Sequence, residues 1–100
     1  MPTYILFSIL TGEGRRTVKE RPERIQEVNR EIETIGAKVM AQYVVLGPCD
    51  FVNVVEAPDN KTIARVAMEL GSRGTVQITS MAAIPVMEFI ESIKAAAKKK

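Results

Sequence analysis

The chain has 100 residues, 46% hydrophobic and 26% charged, a balance typical of one globular domain rather than of a disordered or membrane-spanning chain. Its formal net charge is only +2, and the last three residues are lysines, so the body lacks the concentrated basic face with which proteins bind nucleic acid or anionic membranes. Histidine is absent and Cys49 is the single cysteine, which excludes His-dependent triads, His- or Cys-based metal sites and an internal disulfide; we expect no metal and no cofactor.

The N-terminal segment predicts a strand. Aromatic and aliphatic residues fill Tyr4 to Leu10, and the turn Thr11-Gly12-Glu13-Gly14 follows. This apolar run is too short to span a bilayer, and it lacks the positive leader and cleavage site of a signal peptide. We therefore predict a cytoplasmic location, with no membrane partner.

A helix is predicted next. Thr17 and Glu20 have capping-box spacing, and Pro22 suits a first helical turn. Isoleucine and valine then recur with a helical period up to Gly36, a typical C-terminal stop. The pattern predicts one amphipathic helix with at most a kink near Pro22.

The middle of the chain predicts a β-hairpin. Two β-type runs, Val39 to Leu46 and Phe51 to Ala57, flank the tight connection Gly47-Pro48-Cys49-Asp50. Pro58-Asp59-Asn60 then supplies turn and capping chemistry for a second helix that ends at Gly71.

The C-terminal part predicts a fourth strand and a last helix. Thr75 to Ala83 is β-type, and Pro85 begins a helical pattern with an apolar stripe. The order β-α-β-β-α-β predicts an α+β, ferredoxin-like fold with a four-stranded antiparallel sheet and an added C-terminal helix. We expect one domain over 1–100, with a core at 3–84, the C-terminal helix at 85–97 and a basic tail at 98–100.

Both faces of the predicted sheet are apolar. Tyr4, Leu6 and Leu10 alternate with Ile5, Phe7 and Ile9, and Val39, Tyr43 and Val45 alternate with Met40, Val44 and Leu46. The main polar interruptions are Ser8, Gln42, Asn53, Glu56, Gln77 and Thr79. Because helices cover only one side of such a sheet, we predict that the other side pairs with a second copy of the chain, with the C-terminal helix at or beside the interface. The alternative is that this helix folds back over its own sheet.

Several short motifs resemble those of the GYD-domain family. They are Thr3-Tyr4-Ile5-Leu6, Thr11-Gly12-Glu13-Gly14, Pro22, Leu46-Gly47-x-x-Asp50-Phe51-Val52 and Val55-Glu56-Ala57-Pro58-Asp59. The resemblance covers nearly the whole chain up to the C-terminal helix. It implies a fold similar to the dimeric α+β barrels, formed by self-association, and no specific activity. The motif that names the family has a tyrosine between Gly47 and Asp50, and this chain has Cys49 there.

Five residues are candidates for ligand contacts. Tyr4, Phe7 and Tyr43 are aromatics that a pocket between helices and sheet can use, while Asp50 and Arg73 supply charges beside glycine-rich turns. For each of them a structural role is the competing interpretation: core or interface packing for the aromatics, hydrogen bonds to turn amides for Asp50, and a solvated surface position for Arg73.

Three functions remain open. The favoured one is a non-catalytic, homo-oligomeric module that binds a small apolar or anionic molecule or serves as an accessory protein. An alternative implied by the resemblance is a small enzyme of the dimeric α+β barrel type, similar to cofactor-independent oxygenases or isomerases. RNA binding across the sheet is disfavoured, because the aromatic and basic signature of RNA-recognition sheets is missing.

Overall fold

The fold is an antiparallel sheet with helices on one side. The computed structural model describes residues 1–98, and residues 99–100, most of the predicted basic tail, lie outside them. The elements are β1 (Thr3–Leu10), α1 (Gly12–Glu20), α2 (Arg24–Ile35), β2 (Lys38–Val44), β3 (Phe51–Glu56), α3 (Asn60–Gly71), β4 (Val76–Ala83) and α4 (Val86–Lys98). The sheet order is β2-β3-β1-β4, with every pairing antiparallel. The predicted α+β ferredoxin-like class is confirmed.

The segment predicted as a turn and one helix forms two helices instead. Thr11 is the N-cap of α1, because its Oγ1 accepts a 3.1 Å hydrogen bond from the amide of Gly14. Helix α1 ends at Glu20 because Arg21 precedes Pro22, and the residue before a proline is driven out of the helical region; Arg21 has φ −137° and ψ 76°. The predicted capping box is therefore wrong: Thr17 lies inside α1 and donates to the carbonyl of Glu13.

The hydrophobic core lies between the sheet and the helices. Its buried members are Tyr4, Leu6, Ile32, Ala37, Val55, Ala57, Ile63, Val66 and Leu70. Alternation along β1 and β3 turns one residue in two toward the helices, as the burial of both strands shows. Helices α2 and α3 pack on this core. Gly36 ends α2 with a φ of 118°. Asp59 caps the start of α3, where its side chain accepts a hydrogen bond from the amide of Thr62.

A β-bulge alters the predicted face of β2. The pairing with β3 shifts between Val39 and Ala41, so Val39 pairs with Val55 on the helix side whereas Tyr43 pairs with Val52 on the other side. The expectation that Val39 and Tyr43 share one face is therefore wrong. The extra residue at Met40 moves the second half of the strand by one position.

We call the helix-free side of the sheet the open face. Its apolar members are Ile5, Phe7, Ile9, Ala41, Tyr43, Val52, Val54, Met81 and Ala83. Across its middle, Thr79, Phe7, Val52 and Tyr43 form one row of cross-strand neighbours. Polar residues are few here, so a large apolar surface faces outward.

Helix α4 does not cover the open face. The described residues of α4 include no buried one, and its apolar stripe (Val86, Phe89, Ile90 and Ile93) stays largely exposed, with Phe89 at 53% and Ile93 at 55%. The alternative in which the last helix folds back over its own sheet is thus not the observed arrangement. Within residues 1–98, the helices are too short or too polar to cross a bilayer.

Candidate functional site

A cavity of about 330 Å³ lies between α1, α2 and the helix side of the sheet. Its walls are mostly aliphatic and aromatic side chains from both layers, among them Leu6, Leu10, Ile25, Val28, Phe51 and Ile78. Helices α1 and α2 are separated at Pro22, and they contact β1 and β2 respectively, so they border the cavity over different strands. Pockets for small ligands begin at about 300 Å³ and are lined in the same way, which makes this cavity the candidate site.

Polar groups line the sheet wall of the cavity. Ser8 and Asn53 are only 5% and 6% exposed, at positions of β1 and β3 that face the helices. Among residues 1–98, the Oδ1 atom of Asn53 has no hydrogen-bond donor. Buried amide oxygens normally have a donor, so Asn53, whose side chain lines the cavity, carries an unused acceptor that its neighbours shield.

Two further amides close one side of the cavity. Asn29 of α2 and Gln42 of β2 bond to each other twice, through Asn29 Nδ2 to Gln42 Oε1 at 3.0 Å and Gln42 Nε2 to Asn29 Oδ1 at 3.2 Å. This reciprocal pair joins the helix to the edge strand. Each of the two side chains donates to the other, and neither donates to Oδ1 of Asn53.

An ion-pair network forms the rim. Glu31 of α2 accepts a 2.9 Å hydrogen bond from Nη1 of Arg24. It also accepts one from Nη1 of Arg73, a residue that lies just after the end of α3. Burial raises the pKa of Glu31, but the hydrogen bonds from Arg73 and Arg24 outweigh it and hold that pKa below its usual value. The same hydrogen bond raises the pKa of Arg24. The rim is therefore charged but internally neutralised.

The five predicted ligand residues do not come together. Arg73 is the one that lines the cavity. Tyr4 is buried in the core, where its hydroxyl donates a 2.6 Å hydrogen bond to Asn60 Oδ1 at the start of α3. Phe7 and Tyr43 lie on the open face, on the other side of the sheet, where both flank Val52.

Asp50 holds the end of the hairpin against β1. Its Oδ2 accepts a 2.8 Å hydrogen bond from the amide of Leu10, and its own amide donates to the carbonyl of Ser8 at 2.8 Å. Arg15 of α1 lies 3.8 Å from the same carboxylate. These contacts give Asp50 a structural role, in which its carboxylate accepts from an amide of β1 rather than from a turn amide.

The polar residues of the cavity give a signal in the sequence that does not by itself assign them to a face of the sheet. Ser8, Gln42 and Asn53 were noted as interruptions of apolar strands, and each is in phase with the helix-facing positions. Asn53 pairs with Gln42 on one side and Leu6 on the other. Polar residues at buried positions of neighbouring strands indicate a binding site, because burying an amide in an apolar core costs free energy unless it is hydrogen-bonded.

The sheet order, the antiparallel pairing and the helix-covered cavity define an α+β protein of the ferredoxin-like type. The model of the GYD domain matches residues 4–93, and the chain belongs to this family. The predicted resemblance is thereby confirmed.

A relative and two solved structures locate the chain within its fold. It is 53% identical over 95 residues to the "Glutamine synthetase and cystathionine beta-lyase binding protein" of Thermus thermophilus, an alignment that covers 94% of this chain and 100% of the relative. The crystal structure of TTHA0845, also from Thermus thermophilus, is similar with a TM-score of 0.55 and 22% identity, over 85% of this chain and 95% of that one. The structure of FFRP-DM1 is similar with a TM-score of 0.59 and 21% identity, over 84% and 100%. At these identities the two structures support the fold alone.

Proposed function

We propose that this protein is a non-catalytic, cytoplasmic accessory module that binds a metabolic enzyme, with glutamine synthetase and cystathionine β-lyase as the candidate partners. The observation that carries the proposal is the 53% identity to the Thermus protein along that protein's full length. Identity of this extent along the full length supports a shared kind of partner, which a shared fold alone would not.

The chemistry of the cavity favours binding over catalysis. Its polar groups are amides and hydroxyls, from Asn53, Asn29, Gln42, Ser8 and Thr17, which exchange hydrogen bonds and do not titrate near neutral pH. The charged groups at its rim are engaged with one another. General acid-base catalysis needs a side chain that gains and loses a proton at the working pH, and these groups do not supply one.

We further propose that the module works as a homo-oligomer joined through the open face. Strands about 4.8 Å apart with a rise of about 3.3 Å per residue give this face dimensions on the order of 20 Å by 25 Å. Together with the α4 stripe, it offers enough surface for a stable interface, which buries about 800 Å² on each partner. Ile9, Met81 and Phe89 are exposed in a single chain. Burying their apolar surface in an interface is favourable, because it removes that surface from water.

Enzyme binding is tested with purified proteins. Glutamine synthetase and cystathionine β-lyase from the organism that carries this protein are immobilised separately, and association of the wild-type protein is followed by biolayer interferometry. The proposal predicts saturable binding to at least one enzyme with a Kd in the micromolar range or below. If the protein binds neither enzyme, the proposal is contradicted.

Self-association has its own test in a matched pair of variants. Phe7→Glu places a carboxylate in the middle of the open face, and Gln26→Glu adds the same charge on the exposed surface of α2. Native mass spectrometry is expected to show oligomers for the wild type and for Gln26→Glu and single chains for Phe7→Glu, because an unpaired charge inside an apolar interface is costly. A wild-type protein that stays a single chain at micromolar concentration contradicts this proposal and leaves the enzyme-binding proposal to its own test.

A further inference from the structure

We infer that the cavity under α1 and α2 binds a small, uncharged, largely apolar molecule that donates a hydrogen bond from an N–H or O–H group to Oδ1 of Asn53. This ligand site lies on the opposite side of the sheet from the open face. It is independent of the proposed enzyme partners and of self-association.

The size and lining of the cavity set the body of the ligand. A volume of about 330 Å³ suits a molecule of one or two rings rather than a nucleotide or a peptide. Leu10, Ile25 and Phe51 approach it from β1, α2 and β3, so apolar surface meets the ligand from both layers. An apolar body recovers dispersion contacts that the walls of an unfilled space lack.

The unused acceptor sets the polar end of the ligand. Asn53 is only 6% exposed, and a buried acceptor without a donor is less stable than a hydrogen-bonded one. The neighbouring amide on β2 is already engaged, since Gln42 is bonded twice to Asn29. Neighbouring side chains shield Oδ1, so a ligand N–H or O–H reaches it by shifting them and then supplies the missing donor, whereas a ligand with acceptors alone leaves the oxygen unsatisfied.

The rim sets the charge of the ligand. Arg24 and Arg73 both bind Glu31, and they also contact Glu27 and Glu69, so the positive groups at the entrance already have carboxylate partners. An anionic ligand must compete with those carboxylates. A cation in the cavity meets a wall of apolar atoms and neutral amides, and a buried charge without a partner is strongly unfavourable. An uncharged molecule avoids both costs.

Indole and benzofuran provide the test. These two-ring molecules have nearly the same shape, but indole carries an N–H donor where benzofuran carries an ether oxygen. Binding of each is measured by NMR titration of the isotope-labelled protein and by calorimetry. We expect indole to bind about tenfold more tightly than benzofuran, the factor that one added hydrogen bond supplies. Shifted amide resonances are expected on β1, β3 and α2.

Asn53→Leu separates the hydrogen bond from the space. This variant removes the acceptor and keeps the branched shape of the side chain, and it is expected to fold with an equal or higher urea midpoint, because it removes an unsatisfied polar group. It should bind benzofuran about as well as the wild type and lose the preference for indole. Gln26→Leu, on the exposed surface of α2, is the matched control and should keep the preference.

Three results overturn the inference. They are the absence of wild-type binding to either molecule, equal affinities of the wild type for both, and a preference for indole that survives in Asn53→Leu. Equal affinities are also the result expected if Oδ1 stays shielded from the ligand. A failure here leaves the binding of the enzyme partners unaffected, because that part of the proposal rests on the identity to the Thermus protein and not on a ligand in the cavity.

Discussion

Gly14 in α1 lies directly against the backbone of Thr75, and a Cβ atom on residue 14 would overlap the carbonyl group of Thr75. The same carbonyl accepts a 3.0 Å hydrogen bond from the amide of Thr11, and the Thr11 hydroxyl donates to the carbonyl of Gly74 at 2.8 Å. The first turn of α1 is therefore docked on the segment that leads into β4. This contact fixes α1 over the end of the sheet.

Gly14→Ala is expected to lower the free energy of unfolding by about 2 kcal/mol, because the added methyl group meets backbone atoms that cannot rotate away. Gly12→Ala is the matched control, since nothing lies within 4 Å of a Cβ at that position. Alanine is a better helix former than glycine by about 1 kcal/mol, so the control should be neutral or stabilising. Urea denaturation measures both variants. Equal stabilities for the two would contradict the close contact.

The ion pairs of Glu31 predict acid sensitivity. Because the pKa of Glu31 is lowered from 4.5 in the folded state, its contribution to stability is present above that value and is lost as the pH falls through the lower folded-state pKa. Glu31→Gln cannot titrate, so its urea midpoint should fall less than that of the wild type between about pH 7 and about pH 3.

Glu33→Gln is the control for this experiment. Glu33 is exposed on the same helix, and its replacement removes one carboxylate without removing the contacts to Arg24 and Arg73. A Glu31→Gln variant with the full acid sensitivity of the wild type would show that the rim network does not contribute to stability.

The hydroxyl of Tyr4 links β1 to α3. Tyr4→Phe removes its hydrogen bond to Asn60 and is expected to destabilise the protein by about 1 kcal/mol, the usual net contribution of one such bond. Tyr43→Phe deletes the same atom from a residue that is 61% exposed, and it should change stability by less than about 0.5 kcal/mol. Thermal denaturation followed by circular dichroism is the measurement, and equal effects of the two changes would refute the prediction.

Asp50 is expected to stabilise the folded protein through its hydrogen bond to the amide of Leu10. Asp50→Ala leaves the amide of Leu10 without its acceptor and should cost about 1–2 kcal/mol. Cys49→Ala, one residue earlier in the same connection, is expected to change stability by less than about 0.5 kcal/mol. Equilibrium unfolding in urea distinguishes them. An Asp50→Ala variant as stable as the wild type would mean that the hairpin end is held by its backbone hydrogen bonds alone.

Local chemistry made several elements predictable. The strand predicted at Tyr4 to Leu10 differs from β1 by one residue, and Asp59 caps α3 where the turn residues placed the start of a helix. Gly36 ends α2 with the positive φ that glycine tolerates best. In each case the residues that determine the structure are neighbours in sequence.

Long-range contacts explain what the sequence did not reveal. Gly12 and Gly14 indicated a turn, yet both lie in α1. Gly14 is needed there because α1 approaches the backbone of Thr75, a residue that is distant in sequence. The bulge at Met40 has no glycine or proline to mark it. The cavity depends on both features, since α1 forms its roof and the bulge sets the face of Gln42, and so its position could not be predicted from the pattern of any one strand.

The projecting α4 gives the chain an elongated outline, 58 Å along its longest axis against 28 and 19 Å across. Its radius of gyration of 15.9 Å exceeds the value of about 13 Å for a compact domain of this length. Frictional drag rises with such elongation, so a single 11.1 kDa chain should pass through a gel-filtration column ahead of globular standards of its own mass. An early elution volume is thus the expected behaviour even of one chain.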